Sequence, residues 1–135
     1  MANLNSPGDR YEYREVFADA AVDIDEKIQK PFTLIDVVVN CETAPTTSES
    51  LTIKTVTKDG DETLECSEDL SVGGVDDHIG GNSGQTSFVY RFDKSFIGER
   101  TIKLDYANTA DHADDITVII QYQKDNLVTG SVYDS

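Results

Sequence analysis

The segment Phe32-Thr-Leu-Ile-Asp-Val-Val-Val-Asn-Cys41 is the longest run of apolar and β-branched residues in the chain. Because successive side chains of a β-strand point to opposite faces, the segment divides into two sets. One set is wholly apolar: Ile35, Val37, Val39 and Cys41. The other set is only half apolar: Phe32, Leu34, Asp36, Val38 and Asn40. This pattern predicts a central antiparallel strand with one face in a core and the other partly exposed or covered by a partner.

Other segments with strand composition lie on both sides of this one. They are Tyr11–Phe17, Ala20–Ile28, Leu51–Thr57, Thr63–Cys66, Thr86–Phe92, Glu99–Tyr106 and Asp115–Tyr122. In Ala20–Ile28 a helix is the alternative, since Ala and Glu favour helices, but alternating Val and Ile favour a strand. Alternation predicts these core residues: Val22, Ile24, Ile28, Leu51, Ile53, Leu64, Cys66, Phe88, Tyr90, Phe92, Ile102, Leu104, Tyr106, Ile116, Val118, Ile120 and Tyr122. The sequence shows no convincing helix.

Turn-forming residues separate the predicted strands. Asp59-Gly60 between two alternating segments predicts a hairpin, and Asp93–Gly98 predicts a further turn. The segment Gly73–Gln85 contains five of the nine glycines and predicts a long surface loop, and Ala107–Asp114 predicts a polar loop.

About eight short strands with turns between them predict an all-β fold, an antiparallel β-sandwich that is jelly-roll-like. Residues 1–10 are expected to form a flexible N-terminal arm, residues 11–123 a single β-sandwich domain, and residues 124–135 a C-terminal tail that is ordered only when something holds it. Asp69–Val72 either extends the fifth strand or follows it as a separate element.

Charge limits the kinds of partner that this chain is expected to bind. The 135 residues include 26 acidic and 11 basic residues, a net charge of −15, which argues against binding to nucleic acid or anionic lipid. Solubility explains this acidity, while docking on a basic partner and adaptation to salty water are the alternatives. The sequence has no apolar segment of the roughly 20 residues that cross a bilayer and no secretory signal, so Cys41 and Cys66 are expected to be reduced core thiols rather than a disulfide.

Residues that carry chemistry are sparse. His78 and His112 lie in acidic loops where solvated side chains are expected, and the glycine-rich loop lacks a lysine for binding phosphate. Paired carboxylates of a glycosidase are harder to exclude because acidic residues are abundant. Three oxygen-rich clusters are candidates for structural calcium, with ordinary turns as the alternative: Asp59-Gly60-Asp61, Asp76-Asp77, and Asp111 with Asp114-Asp115. We therefore expect no catalytic residues, no metal and no cofactor.

Three segments carry a resemblance to a known group of proteins: Ala44-Pro-Thr-Thr-Ser-Glu-Ser-Leu51, Asp69-Leu-Ser-Val-Gly-Gly-Val-Asp76 and Ile102-Lys-Leu-Asp-Tyr-Ala-Asn-Thr109. Between Phe32 and Gln123 the chain resembles small β-sandwich virion-associated proteins of tailed bacteriophages, which serve as head decoration or tail accessory proteins. This resemblance implies a non-enzymatic structural protein located in the virion and assembled in the host cytoplasm.

The resemblance further implies a capsid decoration (cement) protein that binds the outer surface of the major capsid protein lattice and stabilises the head. It also implies a homo-oligomer, for which a trimer is one option. Aromatic residues and arginine dominate interface anchors, so Tyr11, Tyr13, Arg14 and Phe17 are the candidate partner contacts, with packing inside the sandwich as the alternative. A tail-associated or carbohydrate-binding module for host recognition is the alternative function, with Gly73–Gln85 and Ala107–Asp114 as its candidate binding loops.

Overall fold

The computed structural model describes residues 10–29, 31–72 and 84–124, and almost all of its regular structure is β-strand. The strands are β1 (Arg10–Phe17), β2 (Val22–Ile28), β3 (Phe32–Cys41), β4 (Ser50–Thr57), β5 (Glu62–Asp69), β6 (Ser87–Phe96), β7 (Arg100–Tyr106) and β8 (Ile116–Lys124). Two single turns of 3-10 helix, Leu70–Val72 and Thr109–Asp111, are the only helical segments in these ranges, and neither is long or apolar enough to cross a membrane.

The strands form two four-stranded sheets. Sheet A has the order β1-β8-β3-β6, sheet B has the order β2-β7-β4-β5, and all neighbouring strands are antiparallel. Each sheet therefore pairs strands from the first half of the chain with strands from the second half. This is the strand order of a jelly roll, in which one long antiparallel hairpin folds into two packed sheets. The predicted all-β, jelly-roll-like sandwich is confirmed, and β3 is an inner strand as expected.

The core lies between the two sheets and is built from alternate residues of each strand. Phe88, Tyr90, Ile102 and Leu104 are fully buried, as predicted, while Phe92 is only partly buried. Burying each such side chain contributes roughly 1.5–3 kcal/mol. Cys41 is buried, Cys66 packs against the core, and neither cysteine forms a disulfide.

The alternation predicted for β3 is wrong in its first half. Phe32 and Leu34 were expected on the half-apolar face, yet both are completely buried, whereas Ile35 is only half-buried. The cause is a β-bulge: Leu34 pairs with Tyr122 and Asp36 with Gln121, so Ile35 has no partner in β8. The extra residue reverses the alternation, and the buried set continues with Val37.

A second bulge corrects the prediction for β5. Ile53 pairs with Cys66 and Lys54 with Leu64, which leaves Glu65 as the extra residue. Leu64 therefore lies opposite the outward-facing Lys54 and is 57% exposed, although alternation assigned it to the core.

The turn predicted at Asp93–Gly98 begins later than expected, because β6 continues to Phe96. The pairing of β6 with β3 is irregular here, because Phe92 and Asp93 of β6 lie opposite the single residue Ile35 of β3. Within this bulge Asp93 adopts a left-handed backbone conformation, with φ 45°. An aspartate typical of turns therefore serves as a bulge residue here, and the strand resumes beyond it.

The chain enters and leaves the domain at one corner. Arg10 pairs with Gln123 on neighbouring strands, so the first and last described strands begin and end side by side. The strands include Arg10 and Lys124, each one residue beyond the predicted domain limits. The connections 18–21, 42–49 and 107–115 lie at the opposite end of the sandwich and contain no Lys or Arg.

Candidate partner-binding surface

The outer face of sheet A is a regular grid of side chains, because the strand registers align across all four strands. Three successive rows, each running from β1 through β8 and β3 to β6, are Val16–Thr117–Asn40–Ser87, Arg14–Ile119–Val38–Val89 and Glu12–Gln121–Asp36–Arg91. The middle row is the most apolar, and we call Ile119, Val38 and Val89 the apolar row.

Each residue of the apolar row is the centre of an uninterrupted apolar triplet. The triplets are Val37-Val38-Val39, Phe88-Val89-Tyr90 and Val118-Ile119-Ile120. Ile119 is only 9% exposed although it lies outside the core cluster, and Val38 and Val89 are half-buried. Continuous apolar runs are typical of strands covered on both faces. The centre of sheet A therefore has the composition of a sheet whose second face is also covered.

The outer face of sheet B has a different character. Asp23, Asp25 and Lys103 occupy its β2 and β7 positions, and Lys103 Nζ lies 3.2 Å from Asp25 Oδ1. Lys54 pairs with Glu62 in the same way at 3.3 Å. Because charged side chains on adjacent strands keep this face hydrated, sheet B has the exterior expected of a solvent-facing sheet.

Charges around the apolar row balance one another. Arg14 Nε lies 3.3 Å from Glu12 Oε2, and Arg91 pairs across the strands with Asp36. Arg10 lines a shallow pocket of about 270 Å³ on this face, together with Glu12 and the bulged Ile35. In a chain with a net charge of −15, a face on which three arginines offset Glu12 and Asp36 is locally favourable for protein contact.

Asp36 is the one residue of this face with a buried oxygen that lacks a hydrogen bond within the described part of the chain, namely its Oδ1. Burial raises the pKa of the Asp36 carboxyl, although Arg91 and Arg10 act to lower it. A buried acceptor without a hydrogen bond is costly, which is consistent with the raised pKa of this carboxyl.

The four predicted partner contacts do not form one surface. Arg14 lies on the outer face, whereas Tyr11, Tyr13 and Phe17 lie on the inward side of β1, an edge strand. Tyr11 is 40% exposed and stacks on Tyr122 with ring centroids 5.5 Å apart. Tyr13 donates a hydrogen bond to Glu15, and Phe17 packs against the core.

His112 is not the solvated loop residue that the sequence suggested. Its side chain is only 8% exposed, its Nε2 lies 3.0 Å from the Tyr106 hydroxyl and its Nδ1 lies 2.8 Å from the Thr109 carbonyl oxygen. Burial raises the pKa of Tyr106, so this hydroxyl stays protonated. The ring joins the loop after β7 to the core, and its hydrogen-bond partners include no serine or cysteine nucleophile.

The acidic clusters that the sequence offered as calcium sites lie partly within the described residues. Within residues 10–29, 31–72 and 84–124, no group of three or more acidic, His or Cys side chains is arranged to hold a metal, and Asp76, Asp77 and His78 lie outside these ranges. Asp59-Gly60 forms the predicted hairpin turn, with Gly60 at φ 94°. Asp23 and Asp105 lie opposite each other in an open groove of about 430 Å³, where burial raises the pKa of Asp105.

The glycine-rich loop is described only from Gly84, so its proposed binding role falls outside the described residues. Burial raises the pKa of the Cys41 thiol to about 12, so this thiol is protonated at neutral pH.

No protein-family model and no curated protein matches the chain. Among solved structures it is similar to a serine protease of Aeromonas sobria, with 12% identity and a TM-score of 0.33 over 84% of this chain and 27% of the protease. It is also similar to a structure of infectious bursal disease virus, Gx strain, with 13% identity and a TM-score of 0.30 over 90% of this chain and 36% of the viral chain. The chain thus spans about a third or less of either structure, and neither similarity informs its function.

Proposed function

We propose that this chain is a non-enzymatic structural protein that binds another protein surface through the outer face of sheet A. The observation that carries this proposal is the apolar row, which places three apolar side chains at the centre of the outer face of sheet A, while the outer face of sheet B carries charged pairs. An apolar strip rimmed by polar groups on the surface is typical of a protein-interaction site, and Val38 and Val89 are half-exposed.

The partner that we propose is the major capsid protein lattice of a tailed bacteriophage, with the chain acting as a decoration protein on the outside of the head. The resemblance of Phe32–Gln123 to virion-associated sandwiches supports this choice of partner. A broad, regular sheet face suits a flat lattice, and Arg14, Arg91 and Asp36 supply charges around the apolar row. The acidic loop end and sheet B would then face solvent.

Repetition on a lattice allows each contact to be weak. Arg10 and Lys124 lie on the same corner of sheet A, and we propose that the segments 1–9 and 125–135 add contacts to the lattice. Linked contacts raise the apparent affinity through effective concentration, so a decoration protein binds firmly without a deep pocket. This role also needs no catalytic group.

The test is binding to heads assembled from the major capsid protein of the same genome without this chain. Val38→Lys and Val89→Lys place a charge in the apolar row at half-exposed positions, so the fold should survive. Val56→Lys is the matched control, since Val56 is equally half-buried on the outer face of sheet B. We expect co-sedimentation at fixed stoichiometry for the wild type and Val56→Lys, and at least a tenfold loss of affinity for the other two variants.

Two results would contradict the proposal. One is an absence of wild-type binding to these heads. The other is equal binding by Val38→Lys and Val56→Lys, which would show that the outer face of sheet A is not the contact.

A further inference from the structure

A polar cluster occupies core-facing positions at one corner of the sandwich, where β4 and β5 face β6. Strand registers place these side chains between the sheets, where the other strands carry mainly apolar residues. The cluster consists of Thr55, Thr57, Thr63, Glu65, Lys94 and Arg100. Thr55 is buried, Thr57, Glu65 and Arg100 are half-buried, and Thr63 and Lys94 are exposed, so the cluster forms a polar opening at the edge of the core.

The polar cluster lines a cavity of about 310 Å³ that opens between the two sheet edges. Phe96, which is 7% exposed, forms part of its wall, and Ile97, which is 90% exposed, lies at its rim. Ligand pockets for small molecules begin at about 300 Å³, so the cavity has room for one ring-sized ligand.

Glu65 is the fixed element of this cavity. Its side chain is only 7% exposed, and its two carboxylate oxygens accept hydrogen bonds from Lys94 Nζ at 2.9 Å and from Thr55 Oγ1 at 2.8 Å. Because Glu65 belongs to sheet B and Lys94 to sheet A, this ion pair spans the open edge of the sandwich. The cavity is therefore held in shape before any ligand enters.

Arg100 supplies the remaining hydrogen-bond donors of this cavity. Its Nη1 donates to the carbonyl oxygen of Glu99, its guanidinium lies 5.4 Å from the Phe96 ring centroid, and no carboxylate in the described residues pairs with it. In a chain with 26 acidic residues, an arginine that lines a cavity without a carboxylate partner is unusual. Lys94 and Arg100 against Glu65 also make the lining net positive, which favours an anionic ligand.

We propose that this cavity binds a carboxylated sugar unit of hexuronate size. Arg100 pairs with the ligand carboxylate, while the hydroxyls of Thr57 and Thr63 and the outer lone pairs of Glu65 hydrogen-bond its hydroxyl groups. A single anionic group alone would need only the cations, whereas the threonines and the glutamate provide the mixed donors and acceptors that a polyhydroxylated ligand requires. The cavity lies between the sheets and is separate from the outer face of sheet A, so this proposal does not depend on capsid binding.

The test is an NMR titration of the isolated chain, in which backbone amide shifts are followed as D-glucuronate is added to about 30 mM. This concentration exceeds the dissociation constant of about 1 mM that is expected for a single weakly bound sugar unit. D-Glucose is the control for the hydroxyl groups, and acetate is the control for the carboxylate. We expect saturable shifts around Thr63, Lys94 and Arg100 with glucuronate, and at least tenfold weaker binding of glucose and of acetate.

Two variants locate the binding. Arg100→Gln should weaken glucuronate binding about tenfold, whereas Lys54→Gln, which removes a cation from the outer face of sheet B, should leave it unchanged. If Arg100→Gln fails to fold, Thr63→Tyr fills the mouth of the cavity from an exposed position and should abolish the shifts.

Three results would overturn the proposal. They are no saturable shift with glucuronate, equal binding of glucose, and equal binding of acetate, which would assign the site to a carboxylate of any origin. Retained binding by both Arg100→Gln and Thr63→Tyr would equally place the ligand elsewhere.

Discussion

Leu34 and Val37 lie three residues apart in β3, yet both side chains are completely buried in the same core. In a regular strand, residues separated by an odd number point to opposite faces. The bulged Ile35 removes this constraint, because it adds one residue to β3 without a partner in β8. The first half of β3 therefore contributes Phe32 and Leu34 to the core, and the second half contributes Val37 and Val39.

The bulge predicts unequal effects for two neighbouring truncations of similar volume. Leu34→Ala removes a fully buried side chain and should lower the free energy of unfolding by about 3 kcal/mol. Ile35→Ala removes a half-buried side chain from the outer face and should cost at most about 1 kcal/mol. Urea denaturation at neutral pH measures both. An effect of Ile35→Ala as large as that of Leu34→Ala would mean that β3 is regular.

The ion pair between Glu65 and Lys94 should matter more than a surface pair. Lys94→Met leaves a carboxylate that is 7% exposed with Thr55 as its remaining partner, and we expect a loss of about 1–3 kcal/mol. Lys54→Met breaks the exposed pair with Glu62 and should cost less than about 0.5 kcal/mol.

A further substitution isolates the charge. Adding Glu65→Gln to Lys94→Met neutralises the stranded carboxylate and should restore part of the lost stability. Thermal denaturation of the two single variants and of the double variant checks this expectation. The expectation is wrong if Lys94→Met and Lys54→Met are equally stable, or if adding Glu65→Gln to Lys94→Met destabilises the protein further.

The sequence was sufficient to predict the strands because a half-buried sheet leaves a period of two in each of them. In Ile102–Tyr106 and Ile116–Tyr122 the predicted inward residues are all buried, together with the outward-facing Ile119, and no bulge interrupts either strand. Leu64 and Ile35 were misplaced because a bulge depends on the register with a neighbouring strand, which the period within one segment does not record.

The candidate surface was harder to predict for a related reason. The half-apolar face of β3 was recognised as a possible contact, but the apolar row exists only where β8, β3 and β6 are aligned. A signal was present in the three apolar triplets centred on Val38, Val89 and Ile119. The position of His112 against Tyr106 and Glu49 joins residues far apart in the chain, and no local pattern predicts it.

Stability should increase as the pH is lowered from 7 through the raised folded-state pKa values of three carboxyl groups. Burial raises the pKa of Glu26, Asp36 and Asp105 above 4.5 for Glu and 3.8 for Asp. A carboxyl with a raised pKa in the folded state stabilises the fold below its unfolded pKa, and this contribution is lost as the pH rises through the folded value. Acidification also reduces the repulsion from a net charge of −15.

Asp69 has the opposite effect, since hydrogen bonds from Ser48 and Ser71 lower its pKa, so its contribution is lost as the pH falls through that lowered folded value. We therefore expect a maximum of the melting temperature at mildly acidic pH and a decline at lower pH. Glu26→Gln should raise the melting temperature at pH 7 and should reduce the gain on acidification, because burial raises the pKa of the Glu26 carboxyl. A melting temperature that only falls as the pH is lowered from 7 would contradict this prediction.

Asn108 should be the most sensitive polar position of the acidic loop end. It is 2% exposed, with a left-handed backbone at φ 47°. Its Nδ2 donates to the carbonyl oxygens of Ala20 at 3.0 Å and Asp114 at 3.2 Å, and its Oδ1 accepts from the Ala113 amide at 2.9 Å. One side chain thus links the β1–β2 turn to the loop before β8.

Two substitutions separate these hydrogen bonds from the backbone conformation. Asn108→Gly keeps the left-handed backbone and removes the hydrogen bonds, so we expect a loss of about 2 kcal/mol. Asn108→Ala removes the same bonds and adds a strained conformation, at a further cost of about 1 kcal/mol. Asn40→Ala, at an exposed position with a single side-chain hydrogen bond to Ser87, is the control and should cost less than about 1 kcal/mol. Urea denaturation of the three variants gives the order, and equal losses for Asn108→Gly and Asn40→Ala would show that Asn108 does not hold the two connections together.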